Sequence, residues 1–290
     1  MERIKVLIFG SSGMLGSEIY RFLKRSNKYE LFTVNRRKIY HEDLSNHFDL
    51  ENFTCDDAID KIIDLISPNF VINCSGAIKQ QISNLDHDIV LPINSIFPNL
   101  LSKLSKNSNF KLIHFSTDCV FSGKKGNYLE SDLCDVNDLY GLSKFLGEVQ
   151  NENSLTLRTS IIGHGLSPNK SLVDWFLEQK DEVKGFSRAV FSGLPTIEIA
   201  NILDSKILGD DFKGGLYNLS AEPISKYDLL CLVKERYKKN ILIINDTDIV
   251  IDRSLNSKKF RHDFSYCPPP WNELIKKMHD SFNLLQARDS

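Results

Sequence analysis

The sequence predicts an α/β fold that is built on a doubly wound parallel sheet. Through the first half of the chain, short β-rich apolar runs alternate with segments of helical periodicity. These runs are apolar almost throughout, as is typical of strands that helices cover on both faces. With 290 residues, the chain is long enough for one large domain with a smaller lobe, or for two modest domains.

The predicted elements follow one another in a regular order. We expect strands at 4–9, 31–34, 70–74 and 111–115, and helices at 15–24, 57–66 and 92–104. This alternation implies right-handed crossovers within a single sheet. Beyond Tyr140 the pattern loosens, with strands expected at 155–157, 216–219 and 241–244 and helices at 173–179, 197–208 and 226–237. Three prolines at 268–270 then precede a closing helix at 271–285.

Composition and charge argue against several classes of function. The formal net charge of −2 provides no global field that would attract nucleic acid or an anionic membrane. No apolar run approaches the ~18–20 residues of a membrane helix, and the N-terminus is typical of a first strand rather than a signal peptide. The six cysteines are scattered without metal-ligand spacing. We therefore expect reduced thiols, a cytoplasmic location and no metal site.

A glycine-rich loop, residues 10–16, joins the first predicted strand to the first predicted helix. Glycine permits a tight turn and a close approach of the backbone to phosphate, and the helix N-terminus adds partial positive charge. A plain strand–helix turn is the alternative. In this context we favour a pyrophosphate loop of the Rossmann type. The predicted cofactor contacts here are Gly10, Ser12, Gly13, Met14, Leu15 and Gly16. We expect residues 1–160 to form an NAD(P)-binding domain and residues 161–290 to form mainly a smaller, intertwined substrate lobe.

The end of the second strand should select the cofactor. A carboxylate there would bind the ribose 2′-hydroxyl of NAD, but the chain has Asn35, Arg36 and Arg37 at this place. Arginines can bind a 2′-phosphate through forked, charge-assisted hydrogen bonds, so we predict NADPH rather than NADH. A solvated basic loop would also account for this sequence. Further cofactor contacts are predicted near the next two strand ends, at Asp49, Leu50, Cys74, Ser75 and Gly76.

The residues that carry chemistry follow the strand 111–115. Thr117 and Asp118 end this strand, and Tyr140 and Lys144 share one face of a later helix. The same Y-x-x-x-K spacing at 20–24 lies on the first helix, far from a strand end, and is expected to belong to the core. An ammonium beside Tyr140 should favour the ionised phenol, whose ordinary pKa is ~10. We predict that Tyr140 protonates a carbonyl oxygen during hydride transfer, that Thr117 hydrogen bonds this oxygen, and that Lys144 also holds the nicotinamide ribose.

These segments resemble the extended short-chain dehydrogenase/reductase family, and within it the dTDP-4-dehydrorhamnose reductase branch. The resemblance is carried by the glycine loop, by 114–123 (HFSTDCVFSG) and by 139–148 (LYGLSKFLGE). It implies an NADPH-dependent reduction of a nucleotide-linked 4-keto-6-deoxy sugar for polysaccharide synthesis. The active-site set that it implies is Thr117, Asp118, Tyr140 and Lys144, supported by Asn94.

The chain differs from the dTDP-4-dehydrorhamnose reductase branch at two places that bear on the expected reaction and substrate. The dehydratases of the family carry a glutamate where this chain has Cys119, so simple reduction fits better than dehydration. The usual residue of the reductase branch at this position is tyrosine, and the segment 78–81 also differs from rhamnose reductases. That segment resembles relatives that reduce UDP-linked 2-acetamido-4-keto-6-deoxy sugars, so the choice between dTDP and UDP stays open.

The lobe beyond residue 160 should hold the nucleotide diphosphate. We predict substrate contacts at Val120, Phe121, Trp175, Arg188 and Arg253. Arg253 is the preferred phosphate partner, because an arginine among apolar residues needs a partner. Lys184 and Lys258 are further phosphate candidates, and Phe191 and Tyr217 are candidates for ring stacking. An epimerase with bound NAD, a non-catalytic NADP-binding regulatory subunit and a homodimer of the chain all stay open.

Overall fold

The computed structural model describes residues 2–36, 46–50, 56–78, 87–166 and 171–289. Its elements in chain order are β1 (Ile4–Phe9), α1 (Met14–Lys24), β2 (Tyr29–Asn35), β3 (His47–Asp49), α2 (Asp56–Ile66), β4 (Phe70–Asn73), α3 (His87–Leu91), α4 (Phe97–Asn107), β5 (Lys111–Thr117), α5 (Leu139–Leu146), β6 (Ser154–Thr159), β7 (Ile161–Ile162), α6 (Leu172–Glu178), β8 (Glu182–Phe186), β9 (Ala189–Phe191), β10 (Leu194–Pro195), α7 (Thr196–Ile202), β11 (Gly215–Asn218), β12 (Ile224–Ser225), α8 (Lys226–Arg236), β13 (Leu242–Asp246), β14 (Ile251–Asp252), α9 (Lys258–Asp263) and α10 (Trp271–Asp289).

A parallel sheet forms the centre of the fold. Within the described ranges it has seven strands in the order β11-β6-β5-β4-β1-β2-β3. The neighbours all pair in parallel. Chain order reverses between β1 and β4, and ligands of open α/β sheets bind beyond the carboxyl ends of the strands at such a switch point. The predicted doubly wound α/β fold is confirmed.

Both faces of the sheet are buried, which explains the continuously apolar strands. On β1, Ile8 packs into a core with Ile19 of α1 and Ile199 of α7. Leu7, its neighbour in the chain, packs into the opposite core with Leu101 of α4. Successive side chains of a strand point to opposite faces, so a strand covered on both sides, such as β1, carries apolar side chains on both faces.

The predicted elements are present with small changes of bounds, except for two helices that are interrupted. The predicted helix 92–104 begins as a π-helical turn, Pro92–Ile96, before α4. Pro98 has no N–H to donate to the Asn94 carbonyl, so the regular helical bond is lost there. The predicted helix 197–208 likewise ends in a π-helical turn, Leu203–Ile207.

A smaller region beyond β6 has its own core and three small sheets. Val173, Leu230 and Ile275, from α6, α8 and α10, belong to this core. The small sheets pair β10 with β7, β13 with β8, and both β12 and β14 with β9. Among the described residues, only β11 returns from this part of the chain to the main sheet, beside β6. In the described part of the chain, no helix combines the length and the apolarity that crossing a membrane would require.

Candidate active site

The glycine loop has the geometry of a phosphate-binding turn. Gly10 has a φ of 79°, which favours glycine, and a Cβ there would lie 2.8 Å from the Ser75 backbone nitrogen. A Cβ at Gly16 would overlap the Gly10 carbonyl oxygen, so this glycine lets α1 pack against the loop. Ser12 and Gly13 are exposed just before α1, whose first turn carries no acidic residue. The start of α1 is therefore open to an anion.

Asn35 shapes this loop. Its side chain is buried at the end of β2, where Oδ1 accepts from the Ser12 backbone N–H at 3.0 Å and Nδ2 donates to Ser11 Oγ at 2.8 Å. The amide is thus engaged by the protein, and a direct cofactor contact through it is not favoured. Arg36 follows at the carboxyl end of β2 with an exposed side chain. The predicted contact at Arg37 lies outside the described residues.

The other predicted cofactor residues lie near the carboxyl ends of the neighbouring strands. Leu15 and Leu50 are buried in the core, so their side chains support the site from behind. Asp49 is exposed at the end of β3 and pairs with His47 at 3.2 Å. After β4, burial raises the pKa of the half-buried Cys74 thiol, which stays protonated at neutral pH.

Ser75 and Gly76 leave a polar opening beside the catalytic residues. The Ser75 hydroxyl is buried and has no hydrogen-bond partner among the described residues. Gly76 is exposed, and a Cβ there would lie 3.4 Å from Asn94 Oδ1 and 4.0 Å from Lys144 Nζ. The glycine therefore keeps the approach to Lys144 clear. A dinucleotide fits three features of this region: the open loop at the N-terminus of α1, the buried Ser75 hydroxyl, which has no partner among the described residues, and the space beside Gly76.

Thr117 and Tyr140 meet at the end of β5. Thr117 caps the 3-10 turn Asp118–Val120, where its hydroxyl accepts from the Cys119 backbone N–H at 3.1 Å. Asp138 caps α5, and a Cβ at Gly141 would overlap the Cys119 carbonyl oxygen. This close approach brings the Tyr140 phenol near enough to the Thr117 hydroxyl for that hydroxyl to lower the pKa of the phenol. Two hydroxyls thus converge where a carbonyl oxygen could accept from both.

The electrostatics of Tyr140 differ from the sequence expectation. Burial, and to a lesser extent Cys119, raise the pKa of the phenol, while the bond with Thr117 opposes this shift. The Lys144 ammonium donates instead to the Phe115 carbonyl at 2.6 Å. The expectation that Lys144 makes the phenol easier to ionise is therefore wrong for this structure, because desolvation prevails. Tyr140 stays protonated at neutral pH, as a proton donor must.

Lys144 is itself buried, and two opposing effects shift the pKa of its ammonium. Burial lowers the pKa of its ammonium to about 8, against the raising influence of Glu148. Asn94 fixes the helix that carries it: Nδ2 donates to Ser143 Oγ at 3.0 Å and to the Ala77 carbonyl at 3.1 Å. The amide thereby joins α5 to the segment that follows β4. Asn94 is a supporting residue, as the sequence predicts.

Two cations reach the site from the small sheet β12-β9-β14. Arg253 follows β14; its Nε donates to the Phe121 carbonyl at 2.8 Å and its Nη1 points to Cys119 Sγ at 3.7 Å. Lys226 follows β12, and its Nζ lies 4.1 Å from the centre of the Phe191 ring. Burial raises the pKa of Asp118, and both cations oppose that shift. The Asp118 carboxylate therefore faces two positive charges, those of Lys226 and Arg253.

Sequence reasoning missed Lys226. It is the first residue of α8, directly after the N-cap Ser225, whose hydroxyl accepts from the Asp228 backbone N–H at 3.0 Å. A cation at a helix N-terminus is unfavourable toward the helix dipole, so it calls for an anionic partner. A lysine at the start of a predicted helix could therefore have been noticed from sequence. Its partner, Asp118, is set by tertiary structure and could not.

Several other substrate predictions are not brought to this place. Val120 and Phe121 are fully buried, and Phe121 stacks on Tyr128 at 4.1 Å, so neither side chain is open to a substrate. They are enclosed because the 3-10 turn directs them into a local core. Trp175, Arg188 and Lys258 are exposed on other elements. The remaining candidates are already engaged: Lys184 by Asp246, Tyr217 by Asp263, and Phe191 by Lys226.

The described residues contain no group of three or more histidine, cysteine, aspartate or glutamate side chains that could hold a metal ion. The five cysteines within these ranges are unpaired. The side chains described at the site carry hydroxyl, phenol, amine and carboxylate groups.

Comparison with known proteins places this geometry in context. The model of the family described as RmlD substrate binding domain matches residues 4–284. The chain is 26% identical to dTDP-4-dehydrorhamnose reductase of Aggregatibacter actinomycetemcomitans, covering 94% of this chain and 98% of that protein. It is 22% identical to methionine adenosyltransferase 2 subunit beta of Rattus norvegicus, covering 80% and 72%. A crystal structure of dTDP-4-dehydrorhamnose reductase from Bacillus anthracis str. Ames in complex with NADP superimposes with a TM-score of 0.80 at 17% identity, covering 97% of this chain and 100% of that one.

Proposed function

Because the chain belongs to the RmlD substrate binding domain family, we propose that it is an NADPH-dependent reductase of a nucleotide-linked 4-keto-6-deoxy sugar. The observation that carries the proposal is the approach of the Tyr140 phenol to the Thr117 hydroxyl, on the helix that also carries the buried Lys144. They lie at the carboxyl end of β5, which β4 separates from β1 and its glycine loop, across the switch point of the sheet. The relatives named dTDP-4-dehydrorhamnose reductase and the NADP complex of one of them support the same conclusion.

Residues of this chain would hold the cofactor in three places. The loop from Gly10 to Gly16 and the start of α1 would bind the pyrophosphate, and Arg36 is placed to meet a 2′-phosphate. Lys144, reached past Gly76, would hold the nicotinamide ribose. When bound, NADPH supplies the hydride.

The protein's own part is to bind and protonate the carbonyl oxygen. The hydroxyls of Thr117 and Tyr140 would both donate to this oxygen, stabilising the negative charge that develops on it. Because burial raises its pKa, the Tyr140 phenol holds its proton until the oxygen becomes basic enough to take it. Asp118, held by Lys226 and Arg253, would accept from a hydroxyl group of the sugar. Polysaccharide synthesis, a cytoplasmic location and pairing of the chain with itself stay predictions.

The direct test is turnover with a panel of substrates. dTDP- and UDP-linked 4-keto-6-deoxy sugars, made in situ by their dehydratases, are offered with NADPH or NADH, and cofactor oxidation is followed by absorbance. We expect oxidation matched by an equal amount of reduced sugar, with a higher kcat/KM for NADPH. NADPH binding without oxidation on any substrate would favour a non-catalytic NADP-binding subunit; one relative is named methionine adenosyltransferase 2 subunit beta. Sugar inversion without net oxidation would favour an epimerase.

Lys226→Met should weaken substrate binding. This buried ammonium lies beside Asp118, the carboxylate proposed to accept from the sugar, so without it that carboxylate should bind the sugar less well: KM should rise about tenfold or more while Kd for NADPH is unchanged. Lys184→Met is the matched control, since that ammonium is engaged by Asp246 at 2.8 Å on the surface. Steady-state kinetics on the best substrate of the panel measures both variants. An unchanged KM in Lys226→Met would remove this residue from the substrate site.

A further inference from the structure

A buried ion pair lies directly behind the catalytic residues. Glu148 and Arg158 have side chains that are only 2% and 3% exposed. Arg158 donates to the carboxylate through Nε and Nη2, both at 2.8 Å, in a bidentate arrangement. Desolvating two charges is expensive, and apolar residues of similar volume often stabilise a fold at least as well. Stability alone is therefore a weak reason for this pair.

The pair is joined to the end of the catalytic strand. Ser116 Oγ donates to Glu148 Oε1 at 2.7 Å. Ser116 immediately precedes Thr117, and it lies opposite Arg158 in the register of β5 and β6. Glu148 thus bonds to both strands at the level of the site. A shift of its carboxylate would move the backbone that aims the Thr117 hydroxyl.

Glu148 lies just beyond the end of α5, four residues after Lys144, and its carboxylate raises the pKa of the Lys144 ammonium against the effect of burial. The other titratable groups that face this ammonium are Cys74, after β4, and His114, on β5. Burial raises the pKa of the Cys74 thiol and lowers the pKa of the His114 imidazole well below its ordinary value. Both are therefore neutral near pH 7. Among these groups, only Glu148 brings a negative charge to Lys144.

We propose that the Glu148–Arg158 pair is a positioning device for this site: Glu148 anchors Ser116 behind Thr117, and its carboxylate keeps the buried Lys144 ammonium charged. Arg158 fixes the Glu148 carboxylate in place through two hydrogen bonds, and its guanidinium balances the negative charge of that carboxylate. Its guanidinium carbon also lies 5.1 Å from the centre of the Phe121 ring, so the same residue braces the turn after Asp118. The inference rests on the proposed function, because it assigns Lys144 the task of holding the cofactor.

Glu148→Gln should therefore change the pH dependence of cofactor binding. The amide keeps the shape of the carboxylate but not its charge, so Lys144 should lose its proton at lower pH. We expect the pH above which NADPH affinity falls to move about one unit lower, and Kd at pH 7.5 to rise about threefold. NADPH fluorescence titrations from pH 6 to 9 measure this without turnover, and the alkaline limb of kcat should move in parallel. Cys74 and His114 do not titrate in this range, so the limb reports on Lys144.

Two further variants separate positioning from stability. Glu198→Gln removes a carboxylate that is equally buried and is paired with Lys277 at 2.9 Å, but lies on α7 away from the site. It should lower Tm and leave the pH profile in place. Glu148→Gln combined with Arg158→Gln avoids an unpaired buried arginine. This double variant should recover part of the Tm that Glu148→Gln loses. The pH above which its NADPH affinity falls should stay lower than in the wild type.

An unchanged NADPH-binding profile in both Glu148 variants, or an equal displacement in Glu198→Gln, would overturn the proposal. Because binding is measured directly, a protein that binds NADPH but reduces no sugar would refute the proposed function and still test this inference.

Discussion

Replacing Tyr140 with phenylalanine should lower kcat by about 10²–10⁴-fold, which is the range expected when a general acid is lost. The substitution removes one oxygen atom and leaves the aromatic ring on α5. The Thr117 hydroxyl lies near that oxygen, and burial raises the pKa of the phenol so that it carries a proton at neutral pH. Kd for NADPH should stay within about twofold of the wild type, because the glycine loop and Lys144 are untouched. Steady-state kinetics and NADPH fluorescence titration give the two values.

Tyr20→Phe is the matched control for this result. Tyr20 and Lys24 have the same spacing as Tyr140 and Lys144, and Lys24 Nζ donates to the Tyr20 hydroxyl at 3.2 Å. Tyr20 is nevertheless part of the core around α1, away from the end of β5. Its variant should keep full kcat. A Tyr140→Phe enzyme with kcat within tenfold of the wild type would refute the role of the phenol as proton donor.

The contrast between these two pairs shows which parts of the site are accessible from sequence. A strand that ends in polar residues, followed by a helix with Y-x-x-x-K spacing, is a local pattern, and the structure has the Tyr140 phenol near the Thr117 hydroxyl, while their catalytic roles stay predictions. The glycine loop is local as well, since its turn and the start of α1 adjoin in the chain. Patterns of this kind also predict the central sheet, because burial on both faces makes its strands apolar throughout.

Local sequence patterns do not predict interactions that depend on tertiary placement. The phenol's pKa moves opposite to expectation because burial, which no local pattern encodes, outweighs charge. Lys226 reaches Asp118 only because β12 and β14 flank β9 in a sheet of very short strands. Val120 adjoins the catalytic aspartate in sequence, yet the turn that follows β5 buries it completely. Adjacency in the chain therefore predicts proximity to the site but not the direction of a side chain.

The glycine loop supplies the second large effect. Gly16→Ala places a methyl group where the Gly10 carbonyl oxygen lies, and both atoms belong to the backbone or are rigidly attached to it. Helix α1 must therefore shift relative to β1, and α1 packs into the core through Ile19 and Leu23. Overpacking of this kind costs about 1–3 kcal/mol. We expect Tm to fall by roughly 2–5 °C and Kd for NADPH to rise more than tenfold.

Gly13→Ala separates ligand binding from packing in the same loop. A Cβ there lies 3.5 Å from the Gly10 carbonyl oxygen, an ordinary contact, and the φ of −84° suits alanine. Tm should therefore stay within about 1 °C of the wild type. Gly13 is exposed at the start of α1, where a methyl group would keep a pyrophosphate from the backbone, so NADPH affinity should still fall about tenfold or more. Differential scanning calorimetry and NADPH titration on both variants give the comparison. A Gly13→Ala protein that binds NADPH normally would show that the phosphates lie elsewhere, whereas equal Tm losses in the two variants would contradict the separate roles of the two glycines.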